Sequence, residues 1–340
     1  MTRQRLSRGA HYIHGFSLIE LMVALTIGLI IAVAAMSAYL GAAGASRMAE
    51  AQGRMNEDAQ AALAILTQQL RMAGNNPDRA NRVDDPNPAL SSRRNPVYGV
   101  TSFPTGTFTT SYFIIRGCDG QFKNLKTAGT TLDTLDPSTC ASGTPTVADS
   151  IAVNYEADQY NTVPSAGGLP TDCLGNTLST ITASIPTVVG AGTSTNAVTY
   201  TVADNRFYIG TTTAIVSPSL YCKGNGGGAT AQPLVENVED LQFLYGTVST
   251  GTTATTATVA GYLRADEVAS LATTPADDPT RWGKVMSVRV CIVVRSENPV
   301  VTDAASAQYL KCDGTVDTSQ TDLRLRRAYA TTVVLRNRRL

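Results

Sequence analysis

The sequence predicts an α+β fold. One long N-terminal α-helix, a membrane anchor in its first half and amphipathic in its second, packs on a β-rich head domain. Three observations predict it. A long apolar run with no charged residue from 21 to 46 lies near the start of the chain. No proline occurs between positions 16 and 76, so the helix that begins in that run can continue beyond it. Beyond it, short β-branched and aromatic segments alternate with Thr-, Gly- and Ser-rich stretches, which is the pattern of strands and turns.

The first element is a short basic leader, residues 1–15, carrying Arg3, Arg5 and Arg8. The apolar segment that follows, 16–40, reads FSLIELMVALTIGLIIAVAAMSAYL and exceeds the roughly 20 residues a bilayer-spanning helix needs. Arginines on its N-terminal side keep that end in the cytoplasm and place the rest of the chain outside the inner membrane. An ordinary secretory signal is the first competitor, with Ala42, Ala43, Gly44 and Ala45 as a loose cleavage site. The length of the run and the carboxylate of Glu20 near its start argue against it. A carboxylate in hydrocarbon costs about 2.5–3.5 kcal/mol on insertion scales, so it needs a partner or a purpose. If the chain is cut between Gly15 and Phe16, the new α-amino group lies one helical turn before Glu20. An amine on one subunit could then meet Glu20 on its neighbour, removing two lone charges from an apolar setting together. The competing reading is a glutamate that reaches the headgroups.

Gly15-Phe16-Ser17-Leu18-Ile19-Glu20 followed by Leu21-Met22-Val23-Ala24-Leu25 resembles the class III leader site of type IV pilins and type II secretion pseudopilins. The resemblance implies cleavage after Gly15 by a prepilin peptidase, N-methylation of Phe16 by the same enzyme, and Glu20 as the assembly carboxylate. It divides the chain into a cleaved leader (1–15), a transmembrane and filament-core helix (16–46), an amphipathic helix (47–74) and a head (75–340). Many major pilins carry a proline midway through the anchor; this chain does not. Gly28 and Gly41 lie inside the apolar helix and permit close helix packing.

In the second half of the helix, Met48, Met55, Ala59, Leu63, Leu66 and Leu70 form an apolar stripe, with Glu50, Arg54 and Asp58 at ion-pair spacing on the other face. Gly74-Asn75-Asn76-Pro77 is a stop signal. A helix over 16–73 would be about 87 Å long. Packing of the stripe on the chain's own head is the expected use.

In the head, strands are expected at 112–116, 150–155, 198–202, 206–209, 234–244, 284–294 and 328–335. Stretches 190–196, 224–230 and 247–261 are expected to be loops. The blocks LRMAG (70–74), LVENVEDLQFLYG (234–246), VMSVRV (285–290), VVRS (293–296) and LRRAYATTVVLRNR (325–338) resemble, in this order, the PilW type of minor pilin. That resemblance implies a low-abundance subunit working with other minor pilins and the major pilin. Such subunits form a tip complex that primes filament assembly and supports a tip adhesin. The head would be periplasmic before assembly and at the cell surface, in the pilus, after it. A type II secretion pseudopilin shares the same N-terminus. A membrane-anchored adhesin or binding module that never polymerises is the alternative from another class.

Composition excludes several functions. The chain has 340 residues with 27 basic and 27 acidic side chains; without the three leader arginines, 24 face 27, about −3. That balance gives no footprint for nucleic acid. The two histidines, His11 and His14, both lie in the leader, so the mature chain has no imidazole for acid–base catalysis, a Ser-His-Asp triad or zinc. No enzyme activity, cofactor, metal or small-molecule substrate is expected. The Gly224–Gly228 stretch lacks the Lys-Ser/Thr of a phosphate loop, and Asp84, Asp85, Asp133, Asp136, Asp277 and Asp278 lack calcium-loop order. Glu236, Glu239 and Asp240 read as solvated strand-end charges, and the C-terminal arginines as an outward face of a strand. Trp282 reads as packing.

Six cysteines, Cys118, Cys140, Cys173, Cys222, Cys291 and Cys312, all lie beyond the apolar run. An even count there fits disulfides outside the cytoplasm. Sequence alone allows fifteen connectivities. Pairing of neighbours, each pair closing one loop-rich insertion, is the expected one.

Overall fold

The computed structural model describes residues 15, 17–75, 114–122, 140, 148–189, 192–212, 215–227, 230–248, 258–273 and 281–337, with the backbone alone for 181–200. Helix α1 spans Leu18–Met72. It ends where Gly74 takes a left-handed φ of 70° and its N–H turns to the Asn154 carbonyl at 2.8 Å, a glycine C-terminal stop.

The chain forms two compact units, Met1–Glu50 and Ala51–Leu340. In the first, α1 is apolar on all sides and exposed: Leu18, Leu21, Leu25, Leu29, Ile30, Val33 and Leu40 all face outward. This length and composition suffice to cross a membrane.

The second unit carries the strands: β1 (Ile115–Cys118), β2 (Ser150–Glu156), β3 (Thr180–Val189), β4 (Gly192–Gly210), β5 (Ser219–Lys223), β6 (Gln232–Glu236), β7 (Val238–Val248) and β8 (Val259–Leu263). A short helix α2 (Ala265–Ala269) follows, then β9 (Val285–Arg295), β10 (Tyr309–Leu310), β11 (Val316–Asp317) and β12 (Arg326–Val334). The first sheet has the order β1-β2-β4-β5-β6, with β3 also paired to β4; the second has the order β12-β9-β7-β8; β10 and β11 form a hairpin. All pairings are antiparallel.

One core joins both sheets to the second half of α1. Met55, Ala59, Ala62, Leu66 and Leu70 pack with Ile115, Ile151, Val153 and Phe207 from the first sheet and with Leu241, Phe243, Val288, Val290 and Ile292 from the second. From Met55 onward the stripe read from the sequence is this buried face, with Leu63 only half-buried on it; Met48 belongs to the first unit. Trp282 is buried and meets the Tyr245 ring edge-on at 4.9 Å.

Four expectations are corrected. Segments 198–202 and 206–209 are one strand, β4, because Asp204, Asn205 and Arg206 are buried and satisfied rather than turning the chain: Arg206 holds Asp204 through two bonds of 3.1 and 2.8 Å. Segment 234–244 is broken at Asn237 (φ 62°), and its halves enter different sheets. The expected loop 190–196 is strand from Gly192 onward, and the expected loop 247–261 gives up its ends to β7 and β8. Strands β3 and β5 were not among the expected segments.

Candidate functional site

The candidate site is the first turn of α1. Ser17 stands at its N-cap position, and the backbone N–H of Ser17 donates to Glu20 Oε2 at 2.9 Å. The first helical bond runs from Leu21 N to the Ser17 carbonyl at 3.1 Å. This is the glutamate half of a capping box, in which the carboxylate three residues in satisfies an orphan amide of the first turn. The Ser-x-x-Glu spacing that signals it is legible in the sequence. Glu20 thus has a local partner in the chain as it stands. It lies on an exposed, otherwise apolar turn, with Leu18, Ile19 and Leu21 beside it. Gly15 is exposed, and a Cβ there would meet nothing within 4 Å. Among the described residues, no crowding requires glycine at that position. Phe16 lies outside the described residues.

The six cysteines are joined as Cys118–Cys140, Cys173–Cys222 and Cys291–Cys312, with Cα separations of 5.5, 6.6 and 5.8 Å. The first ties the chain beyond β1 back to its end, the second pins the segment after β2 to β5, and the third fastens the β10–β11 hairpin to β9. Among the described residues there is no free cysteine and no group of three or more His, Cys, Asp or Glu arranged to hold a metal ion. The six aspartates weighed for calcium lie outside the described residues.

Other charged features resolve as structural pins. The glycine-rich stretch after β5 is held against Asp172, whose Oδ2 accepts the Gly226 N–H at 3.0 Å; a Cβ on Gly224 would fall 2.2 Å from that oxygen. Glycine is needed at Gly224 and Gly226 because the Asp172 carboxylate fills the space a Cβ would take, so residues 224–227 form a loop held on a carboxylate. Glu239 is not a solvated charge, and Arg326 does not face outward. Arg326 is buried and holds Glu239 at 2.6 Å and Asp322 at 2.7 Å. Its hydrogen bond holds the Asp322 carboxyl down at about 2. Asp149, missed in the sequence, joins the two sheets: its carboxylate accepts Gly120 N at 3.2 Å and Phe243 N at 2.9 Å, and its own N–H donates to the Leu241 carbonyl. Burial pushes its pKa up to about 7 against those two bonds, helped by the charges of Asp119 and Asp240.

A helix apolar on every side in its first half, one carboxylate a turn from its start, and a disulfide-braced β-rich head together make an α+β, pilin-like fold. The comparisons narrow the class. The family model of the type IV pilus-assembly protein W matches residues 206–337, and that of the prokaryotic N-terminal methylation motif matches residues 11–36. The second is the leader-site resemblance read from the sequence; the first covers the blocks read at 234–246, 285–290 and 293–296 and nearly all of that at 325–338, but not the block at 70–74. The pilus-assembly match points to a structural protein. No curated protein and no solved structure matches the chain.

Proposed function

We propose that this protein is a minor pilin of a type IV pilus. It is made as a precursor, cleaved between Gly15 and Phe16 by a prepilin peptidase, methylated at Phe16, held in the inner membrane by residues 16–46 with its head in the periplasm, and then built into the filament. There it joins other minor pilins and the major pilin in a tip complex that primes assembly and supports a tip adhesin. The filament serves twitching, adhesion or DNA uptake. The match over 206–337 favours the pilus over a type II secretion pseudopilin.

The observation that carries this reading is the first turn of α1. A capped carboxylate on an exposed apolar helix has no lasting place in lipid, but it has one in a bundle of like helices. Cleavage at Gly15 leaves a charged amine one turn before Glu20. The amine of one subunit can then replace the Ser17 N–H as the carboxylate's partner on the next, fixing axial register while both charges are withdrawn from solvent. The apolar surface of the anchor is covered by lipid before assembly and by neighbouring helices after it.

The test is mass spectrometry of the N-terminus in sheared surface filaments. A peptide beginning at methylated Phe16 is the expected result. Protein found only in membranes, with the leader still attached, sinks the reading and leaves the anchored binding module in its place.

A further inference from the structure

The sheets of the head have open edges, and the edges are not alike. β1 is four residues long and β8 five. β6 carries Pro233 and β3 carries Pro186, and a proline has no N–H to offer a further strand. β12 has none of these safeguards. It runs for nine residues at the edge of the second sheet, pairs with β9 in an unbroken register and holds no proline.

The register fixes which way its backbone points. Beyond one end the Leu335 N–H donates to the Met286 carbonyl, and beyond the other the Ser296 N–H donates to the Leu325 carbonyl. The odd-numbered residues from 325 to 335 therefore bond to β9, and the even-numbered ones turn N–H and C=O away from it. Among the described residues, nothing pairs with the outward backbone groups of Ala328, Ala330, Thr332 and Val334. Ala330, Thr332 and Val334 are also exposed. Such groups repeat about every 6.8 Å along one line, and another extended backbone matches that spacing over its whole length.

Charge says which backbone fits. From 323 to 340 the chain holds six arginines and no acidic residue. Arg326 is held by Glu239 and Asp322, and Arg324 turns to Asp322 and to the carbonyls of Ser296 and Glu297. Arg327 near the start of the edge and Arg336 just past its end are exposed, and neither has an ion pair among the described residues. The edge therefore repels a basic strand and attracts an acidic one. It also refuses its own copy: antiparallel pairing of two β12 strands centred on Ala330 would set Arg336 opposite Arg324.

We propose that β12 accepts an extended, acidic segment of a different polypeptide as an added strand, paired through the outward backbone groups of residues 328–334 and steered by Arg327 and Arg336. The site lies wholly in the head, so it stands whether or not the chain enters a filament.

The test uses the full-length protein in detergent micelles. The probes are a labelled nine-residue peptide of alternating glutamate and valine, matched to the length of β12, and its lysine–valine counterpart. The glutamate peptide is expected to bind saturably and about tenfold more tightly than the lysine peptide. On binding, amide exchange at Ala330 and Thr332 is expected to slow, while Thr331 and Val333, already bonded to β9, keep their protection. Arg327→Glu/Arg336→Glu should reverse the preference between the peptides. Thr332→Pro, which removes an outward N–H and no bond to β9, should weaken binding about tenfold. Trp282 fluorescence reports whether each variant is folded, and if Thr332→Pro is not, the exchange measurement on the unsubstituted chain decides alone. No binding, equal binding of the two peptides, or binding that leaves exchange at Ala330 and Thr332 unchanged each overturns the proposal.

Discussion

Residues 18–50 and 51–72 belong to one helix, yet they answer to different surroundings. In the first stretch Leu29 is 68% exposed and Ile30 67%, with no charged side chain from 21 to 46. In the second, Met55 and Leu66 are 2% and 1% exposed. Polar side chains there reach the head: Tyr329 Oη donates to Asn56 Oδ1 at 2.6 Å, and Asn205 Nδ2 donates to Gln69 Oε1 at 2.8 Å. A helix apolar along one stripe is fixed by its own chain. A helix apolar all round is left for something outside the chain to cover. The difference separates the stretch that the protein needs to fold from the stretch that the proposed function assigns to assembly.

The largest effect expected is at Glu20. Glu20→Ala should abolish recovery of the protein in sheared filaments while leaving its membrane level and the unfolding of the head unchanged. Trp282 is the only tryptophan and sits in the head core, so its fluorescence reports the head alone. Normal filament content in this variant would break the assignment of assembly to the first stretch. In the second stretch, Leu66→Ala should cost about 3–5 kcal/mol of head stability by opening a cavity in a closed core. Leu29→Ala, on the same helix, should leave Trp282 unfolding where it was. Equal effects at the two positions would erase the distinction.

Next in size is the Cys173–Cys222 disulfide, which spans 49 residues of the first sheet. Its removal by Cys173→Ser/Cys222→Ser should cost about 2–4 kcal/mol, read as a lower denaturant midpoint for the Trp282 transition.

The head should also carry a pH dependence. Asp149 is raised by burial to about 7, and Asp119 to about 6, also by burial first and then by its bond to Asp266. A carboxyl whose pKa is higher folded than unfolded binds its proton more tightly in the native state. Its contribution is complete below the unfolded value near 4 and is lost as pH rises through 6 and 7. Asp322, held near 2, acts oppositely: its contribution is present above about 4 and is lost as pH falls toward 2. Head stability should therefore be greatest near pH 4 and decline from there to about pH 7, by up to roughly 1.4 kcal/mol per pH unit for the proton on buried Asp149 and by less for half-exposed Asp119, whose shift water screens. Asp149→Asn should flatten that decline, and an unchanged slope would show that the pin between the sheets does not titrate there.

The two halves of the chain also differ in how far the sequence alone could be read. The long helix, its apolar stripe and its glycine stop are short-range patterns, and the fold follows them. The neighbour pairing expected of the cysteines is the pairing found in the head. The β-rich character was legible but the strand boundaries were not. Asp204 and Asn205 are polar residues in the middle of β4, and tertiary partners hold them there: Asp204 N–H donates to Asn225 Oδ1, and Asn205 bonds Cys173 N and Gln69. The corner at Asn237 was hidden because an apolar run of strand type passes through it, and only its positive φ reveals the change of sheet. Asp149 and Asp172 were invisible because their partners, Gly120, Phe243 and Gly226, are backbone amides brought close by the fold.

The smallest effect expected concerns the ion pair between α1 and the head, Arg54 Nη1 to Glu297 Oε2 at 3.2 Å. Both side chains are more than half exposed, so water screens the attraction and two long side chains lose freedom to form it. Arg54→Ala should change head stability by less than about 1 kcal/mol, and 1 M salt should remove most of that difference. The outcome sharpens the comparison along α1. If Arg54→Ala matters little where Leu66→Ala matters much, the apolar stripe fixes residues 51–72 to the head, and polar links at its margin set only the fine orientation. If Arg54→Ala costs as much as Leu66→Ala, the second stretch is held by charge, and its burial is a consequence of docking rather than the cause.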